Sequence, residues 1–355
     1  MAIKIGTNLV GKNNPPYFIA DIAANHDGDI DRAFKLIELA KESGAHAAKF
    51  QNFTANKIVS KFGFESLSQK LSHQKNWKKS VFEVYQDASV SFEWTPLLKA
   101  KCEEVGIDYF TSPYDFNSVD QVDPFVELYK IGSGDITWTE IIEYIAKKGK
   151  PVLIATGASE MEDVKRAMKI LEKHTADIVL MQCNTNYTAS LENFKYINLN
   201  VLNKYKELFP NTILGLSDHT PGHATVLGAL ALGAVVFEKH FTDDNNREGP
   251  DHKFAMNPHT WKEMVDRTNE LFYAMGDGTK RIELNEMDAA VVQRRSLRVK
   301  ANLEIGHVLS HDDLESLRPM PTNGIPPYEI NNLIGKRIIE SLSAGQHIEY
   351  KHIEL

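Results

Sequence analysis

Residues 213–240 read ILGLSDHTPGHATVLGALALGAVVFEKH. The two ends are short apolar runs, Ile213–Ser217 and Val235–His240, and Pro221–Leu232 between them reads as a helix. Each run closes on polar residues, Ser217-Asp218-His219 and Glu238-Lys239-His240. A strand, a helix and a second strand in so short a span form a βαβ unit. Nearly continuous apolar runs are what parallel strands need when both faces are buried.

The same unit recurs towards the N-terminus. Further strands are expected at Phe18–Ala23, Ala45–Gln51, Asp108–Thr111, Leu128–Gly132, Val152–Thr156 and Ile178–Cys183. Helices are expected after Asp29, as an N-cap with Gly44 closing, and at Thr95–Glu104, Trp138–Lys148, Met161–Lys173, Ile197–Leu208 and Pro258–Met275. Between Asp115 and Pro124 there is room for one turn. Eight alternations point to the α/β class and a (β/α)8 TIM barrel. A doubly wound sheet is the weaker reading, because no Gly-x-Gly-x-x-Gly follows the first strand. The long polar insertion between Thr54 and Trp94 is expected over or beside the barrel mouth.

A chain of 355 residues suits a large barrel with a small appendage. Hydrophobic residues make up 42% and charged residues 25%, an ordinary globular mix. A net charge of −8 argues against nucleic acid as the main partner. No apolar run is long enough for a membrane span, and Met1–Tyr17 shows no signal-peptide core. Two cysteines, Cys102 and Cys183, make no disulfide framework, so a cytoplasmic location is expected. After Gly278 the texture turns to short β-like pieces, Ser296–Lys300, Ile338–Glu340 and Ile348–Tyr350, broken by prolines. The expected division is a barrel over 1–280, a linker over 281–293 and a small β-rich domain over 294–355.

In such a barrel the active site lies at the C-terminal strand ends. There Lys49 and Lys130, from strands two and four, admit three readings. Their stems line the barrel while the heads reach water; or, with Thr111, Ser133, Ser217, Gly132 and Gly134, they cradle a phosphate; or one forms a Schiff base. His219 and His240 end adjacent strands. They are either hydrogen-bonding residues or two ligands of an open metal site, which suits Mn2+, Mg2+ or Co2+ better than a closed zinc set. Asp21, Asp135 and Asp251 are the candidate carboxylates, each with a cap, turn or ion-pair role as the bland alternative. Cys102 reads as a buried helix residue and Cys183 as no nucleophile.

The strings FIADIAANHDG (18–28), AKFQNF (48–53), FTSPYD (110–115), YKIGSGD (129–135), ATG (155–157), GLSDHT (215–220), EKHFT (238–242) and GPDH (249–252) together resemble the sialic acid synthase family. Arg294–Ser296, Leu317–Pro319 and Leu333–Lys336 resemble its C-terminal antifreeze-like domain, of the SAF or β-clip type. The resemblance implies condensation of phosphoenolpyruvate with an amino-hexose to a nine-carbon sugar acid. It implies a manganese-type metal on His219 and His240, with Asp21 or Asp135 handling protons. Lys49, Thr111, Lys130, Ser133 and Ser217 would surround phosphoenolpyruvate. Gln51, Tyr187 and Asp251 match positions that face the sugar, and Thr185 is counted with them. Arg318 matches an arginine that reaches a neighbouring subunit's site, implying a domain-swapped homodimer.

Three departures concern the sugar side. Asp21 and Asp135 stand where members making N-acetylneuraminate carry Glu. No Pro follows Tyr187 in the Asn184–Thr188 segment, and the loop after Arg318 is longer. They shift the expected acceptor from N-acetylmannosamine towards a 2,4-diacetamido-6-deoxy hexose. Two other readings are another aldol-type barrel enzyme and a non-catalytic sugar- or ice-binding protein.

Overall fold

A computed structural model describes residues 2–67, 74, 75 and 77–354. The chain divides between Gly276 and Asp277 into two compact units.

The first unit opens with a hairpin that the sequence reading missed, β1 (Ala2–Ile5) antiparallel to β2 (Asn8–Gly11). Then come β3 (Tyr17–Asp21), α1 (Ile30–Glu42), β4 (Ala47–Asn52) and an insertion carrying α2 (Ala55–Ile58), α3 (Lys61–Glu65) and α4 (Val81–Ala88). The alternation resumes with α5 (Trp94–Val105), β5 (Asp108–Pro113), α6 (Phe116–Val122), β6 (Tyr129–Ile131), α7 (Thr139–Ala146), β7 (Val152–Ala155) and α8 (Met161–Leu171). It ends with β8 (Ile178–Cys183), α9 (Val201–Leu208), β9 (Ile213–Asp218), α10 (Ala224–Ala231), β10 (Val236–His240) and α11 (Pro258–Met275).

Strands β3–β10 are the eight expected ones. All neighbours pair in parallel, in the order β5-β4-β3-β10-β9-β8-β7-β6. The first and last barrel strands, β3 and β10, are joined, while β5 and β6 lie side by side without a ladder. The barrel is therefore nearly closed. Asp29 caps α1 as expected, accepting from the N–H groups of Asp31 and Arg32. Two helices differ from expectation. Asp115 caps α6, which runs to Val122 instead of stopping after one turn. Asn198 has φ +51°, so Ile197 cannot start α9, which begins at Val201.

Strand alternation sorts the side chains. On β4, Lys49 and Gln51 face the cavity inside the barrel, whereas Asn52 points outward and meets Thr95 of α5. On β10, Glu238 and His240 face in, whereas Lys239 faces out and is buried in an ion pair with Asp218 of β9. The hairpin covers the opposite, N-terminal end of the barrel. Its Ile3, Ile5 and Val10 join the barrel core. Gly6 donates its N–H to Glu127 at 3.0 Å, and Asn8 and Tyr17 donate to Asp108 at 3.0 and 2.6 Å. Only glycine fits at position 6, since a Cβ would lie 1.9 Å from an Asp108 oxygen.

The second unit, residues 277–355, pairs β11 (Ser296–Val299) with β12 (Leu314–Leu317). Its core gathers Leu297, Val299, Leu314, Ile325, Leu333, Ile338 and Ile348. Of the other β-like pieces, Ile338 makes a single bridge to Ile353. The stretch expected as a linker contains helix α12 (Met287–Gln293) and belongs to this unit, with Met320 N–H bonded to the Val291 carbonyl at 2.9 Å. Among the described residues, no helix is long and apolar enough to cross a membrane.

Candidate active site

A cavity of about 380 Å³ opens at the C-terminal ends of the barrel strands. Eleven of the expected residues line it: Asp21, Lys49, Gln51, Lys130, Ser133, Asp135, Tyr187, Ser217, His219, His240 and Asp251. Its side wall comes from the insertion, with Ile58, Val59, Phe64, Trp77, Val84, Tyr85 and Ala88 facing the same space.

The floor is a set of compensated charges. Lys49 Nζ lies 2.7 Å from Asp21 Oδ2 and 3.8 Å from Glu238 Oε1. Lys130 Nζ donates to Glu238 Oε1 at 3.0 Å, and the Ser217 hydroxyl donates to the same oxygen at 3.1 Å. Glu238 Oε2 has no protein partner. Burial by itself would raise the Glu238 carboxyl, but the ammoniums of Lys130 and Lys49 outweigh it and hold it at about 2. Burial works against the charge on Lys49 too, yet Asp21 and Glu238 overcome it and raise its pKa. The same two carboxylates favour the ammonium form of Lys49 over the free amine that a Schiff base requires. Burial lifts Asp21 against the pull of Lys49, and burial lifts Asp135 to about 6. Ser133 is held by the Gly157 N–H, 2.9 Å from its hydroxyl oxygen.

The two histidines stand with ring centroids 5.4 Å apart. His219 Nδ1 is tied to the Asn184 carbonyl at 2.9 Å, which leaves Nε2 as the lone-pair nitrogen. His240 Nδ1 is buried without a hydrogen-bond partner, 3.8 Å from Asp251 Oδ2. Burial, with His240 beside it, pushes His219 down to about 4, and burial pushes His240 to about 4 against the pull of Asp251. Both rings are neutral at physiological pH, the form a metal binds. Among the described residues, no three His, Cys, Asp or Glu side chains gather as a protein-only metal cage. A cation held by these two rings would keep open positions.

Three expected site residues lie elsewhere. Thr111 points to the outer face of β5 and donates to Asn52 at 2.6 Å; its neighbour Ser112 lines the cavity instead. Both residues belong to the expected strand end, and a shift of one residue along a strand moves a side chain to the other face. Thr185 is half-buried outside the lining, its methyl carbon packed so close to Gly157 that a Cβ there would come within 2.6 Å. Arg318 is exposed on the second unit. Cys183 lines the cavity, and burial raises its thiol pKa, in keeping with an unreactive cysteine. Sequence reasoning missed Glu238 and Phe254. Phe254 packs edge-on against His240 at 4.8 Å and tilted against Tyr187 at 5.2 Å. The alternation Glu238-Lys239-His240 could have found Glu238, since it shares a face with His240.

Residues 36–280 match the family model of the NeuB family, and residues 294–354 match the SAF domain. The chain belongs to the NeuB family. Within it, the chain is 33% identical over 353 residues to N,N'-diacetyllegionaminic acid synthase of Legionella pneumophila, covering 97% of this chain and 96% of that one. It is 32% identical over 340 residues to human N-acetylneuraminate-9-phosphate synthase, covering 96% and 93%. The crystal structure of N-acetylneuraminic acid synthetase from Leptospira borgpetersenii, in complex with citrate, superposes with a TM-score of 0.71 at 25% identity, covering 81% of this chain and 95% of that one. The NeuB family thus contains relatives named for different sugar acids at nearly equal distance from this chain.

Proposed function

We propose that this enzyme joins phosphoenolpyruvate to the open-chain form of a 2-acetamido hexose, releasing phosphate and a nine-carbon nonulosonic acid. The observation that carries the reading is the meeting, in one cavity, of two buried lysines and two neutral histidines beside carboxylates raised by burial. The names of its relatives, synthases of legionaminic and neuraminic acids, support the same chemistry.

Lys49 and Lys130 hold the phosphate and carboxylate of phosphoenolpyruvate, exchanging contacts with Asp21 and Glu238 for contacts with the substrate. Ser133 and Ser217 add hydroxyl donors. A divalent cation, manganese before magnesium or cobalt, fits His219 Nε2 and the unpartnered His240 Nδ1; when bound it would polarise the aldehyde oxygen and offset the charge that develops there. C3 of phosphoenolpyruvate bonds to the aldehyde carbon, water adds at C2, and the C2–O bond to phosphate breaks. Asp135, at about 6, is ionised at neutral pH and takes the proton that water gives up. That proton balances the one gained by the new alkoxide, and the second proton of the water, left on the C2 hydroxyl, departs with the phosphate as the C2 carbonyl forms.

The acceptor we favour is a 2,4-diacetamido-6-deoxy hexose. Phe53, Ile58, Val59, Phe64, Val84 and Ala88 give the cavity an apolar wall, which suits methyl groups better than the free hydroxyls of N-acetylmannosamine. A phosphate-release assay with phosphoenolpyruvate and a panel of 2-acetamido hexoses, with and without EDTA, tests both levels. The diacetamido sugar is expected to lead in kcat/KM by about tenfold or more. A tenfold lead for N-acetylmannosamine would show that the apolar wall and the Asp21 and Asp135 departures do not set the acceptor. No phosphate release with any of them would remove the function itself.

Arg318 enters the same proposal, as the residue that completes the site of a partner subunit in a homodimer. Arg318→Ala is expected to raise the acceptor KM, and mixing it with an inactive Lys49→Met protein is expected to restore turnover in mixed dimers. No restoration in exchanged mixtures would mean that each site is complete within one chain.

A further inference from the structure

The loop between β10 and α11, residues 241–257, brings Asp251 to the cavity and packs Phe254 against His240, yet its shape is set outside the cavity. His252 is fully buried, and both its ring nitrogens are engaged. Nδ1 lies 2.7 Å from Thr242 Oγ1, and Nε2 lies 2.9 Å from Asp27 Oδ1. A ring with its proton on Nε2 donates to Asp27 and accepts from the Thr242 hydroxyl, so one tautomer satisfies both contacts. Thr242 begins the loop, His252 lies in its second half, and Asp27 belongs to the turn after β3. The ring therefore closes the loop on itself and fastens it to the neighbouring strand end.

The anchor is itself braced. Asp27 Oδ2 takes Arg247 through Nε at 2.8 Å and Nη2 at 2.7 Å, and lies 3.1 Å from Arg32 Nε. Arg32 grips Asp243 through both terminal nitrogens at 3.0 and 2.5 Å. Gly249 crosses the imidazole so closely that a Cβ would meet His252 Cδ2 at 2.6 Å, which accounts for a glycine there. Asp27 adopts φ +53°, uncommon for a residue with a side chain. Neither Asp27 nor His252 lines the cavity, but the residue next to His252 does: Asp251 accepts the Ala24 N–H at 3.3 Å.

We propose that His252 and Asp27 are a positioning pair that fixes the Asp251 carboxylate in the cavity and thereby sets recognition of the sugar acceptor without touching it. The inference rests on the function proposed above for the role of Asp251.

A double-mutant cycle on the full chain tests it. His252→Gln keeps an amide N–H near the place of Nε2 and loses the Thr242 contact, while Asp27→Ala removes the anchor. Each is expected to raise the acceptor KM by about tenfold or more, with the calorimetric dissociation constant for phosphoenolpyruvate unchanged. In an Asp251→Asn background the same changes are expected to add less than about twofold, because Asp251 is the group they act through. Multiplicative effects in that background, or equal losses in phosphoenolpyruvate affinity, overturn the pair. His252→Gln carries the test should Asp27→Ala not fold. A crystal structure of either variant is a readout free of the reaction: Asp251 displaced from the Ala24 N–H supports the pair, and Asp251 in place refutes it. If the parent protein turns over no amino-hexose, the proposed function fails instead, and the crystallographic arm judges the pair by itself.

Discussion

His219→Ala and His240→Ala are each expected to abolish phosphate release, by about 10³-fold or more, if a bound cation supplies several kcal/mol of charge stabilisation. Both rings face the cavity and not the apolar core, so circular dichroism and thermal unfolding should stay close to the parent's. The two substitutions should resemble each other and the EDTA-treated parent, because the rings are 5.4 Å apart and would serve one ion. Manganese should restore the treated parent and neither variant. Full activity after EDTA with no added metal would end the metal reading and leave the histidines as hydrogen-bonding residues.

Lys49→Met and Lys130→Met are expected to lower kcat/KM for phosphoenolpyruvate by about 10²–10³-fold, the usual loss for one preorganised charge contact. They should differ in stability. Lys49 is 2.7 Å from Asp21 in a pair that is almost wholly buried, so its removal strands a carboxylate. Breaking such a pair costs about 3–5 kcal/mol, and the thermal midpoint should fall. Lys130→Met leaves Glu238 with the Ser217 hydroxyl and with Lys49 still 3.8 Å away, so its midpoint should fall less. Borohydride in the presence of substrates should trap no adduct on either lysine. A stable adduct would move the protein to the Schiff-base aldolases.

The eight barrel strands were legible because each is an apolar run ending in polar residues, and most of the site followed from those ends. The errors have local physical causes. Thr111 and Ser112 are equally polar, and nothing at the sequence level says which of two neighbours on a strand faces in. Glu238 stands in the strand-end string without a role, because only the fold shows it 3.0 Å from Lys130, a residue far along the chain. The β1–β2 hairpin was missed because its alternation is short, and its reason to exist, Asp108 and Glu127 at the barrel's base, is distant in sequence. His252 was invisible as a functional residue, since its partners Thr242 and Asp27 lie on two different loops.

Apart from Phe53, the apolar wall belongs to one contiguous insertion with a small core of its own: Ala55, Val59 and Val81, packed by Ile58, Phe64, Trp77, Phe82 and Tyr85. That cluster is separate from the barrel core, whose strands carry the lysines and histidines. Mutations in the insertion can therefore reshape one side of the cavity at little cost to the stability of the barrel. An ancestral protein of this architecture could change the sugar it accepts by drift in a single surface segment while its reaction chemistry stayed fixed. Grafting residues 54–93 between relatives named for different sugar acids would transfer acceptor preference as a module.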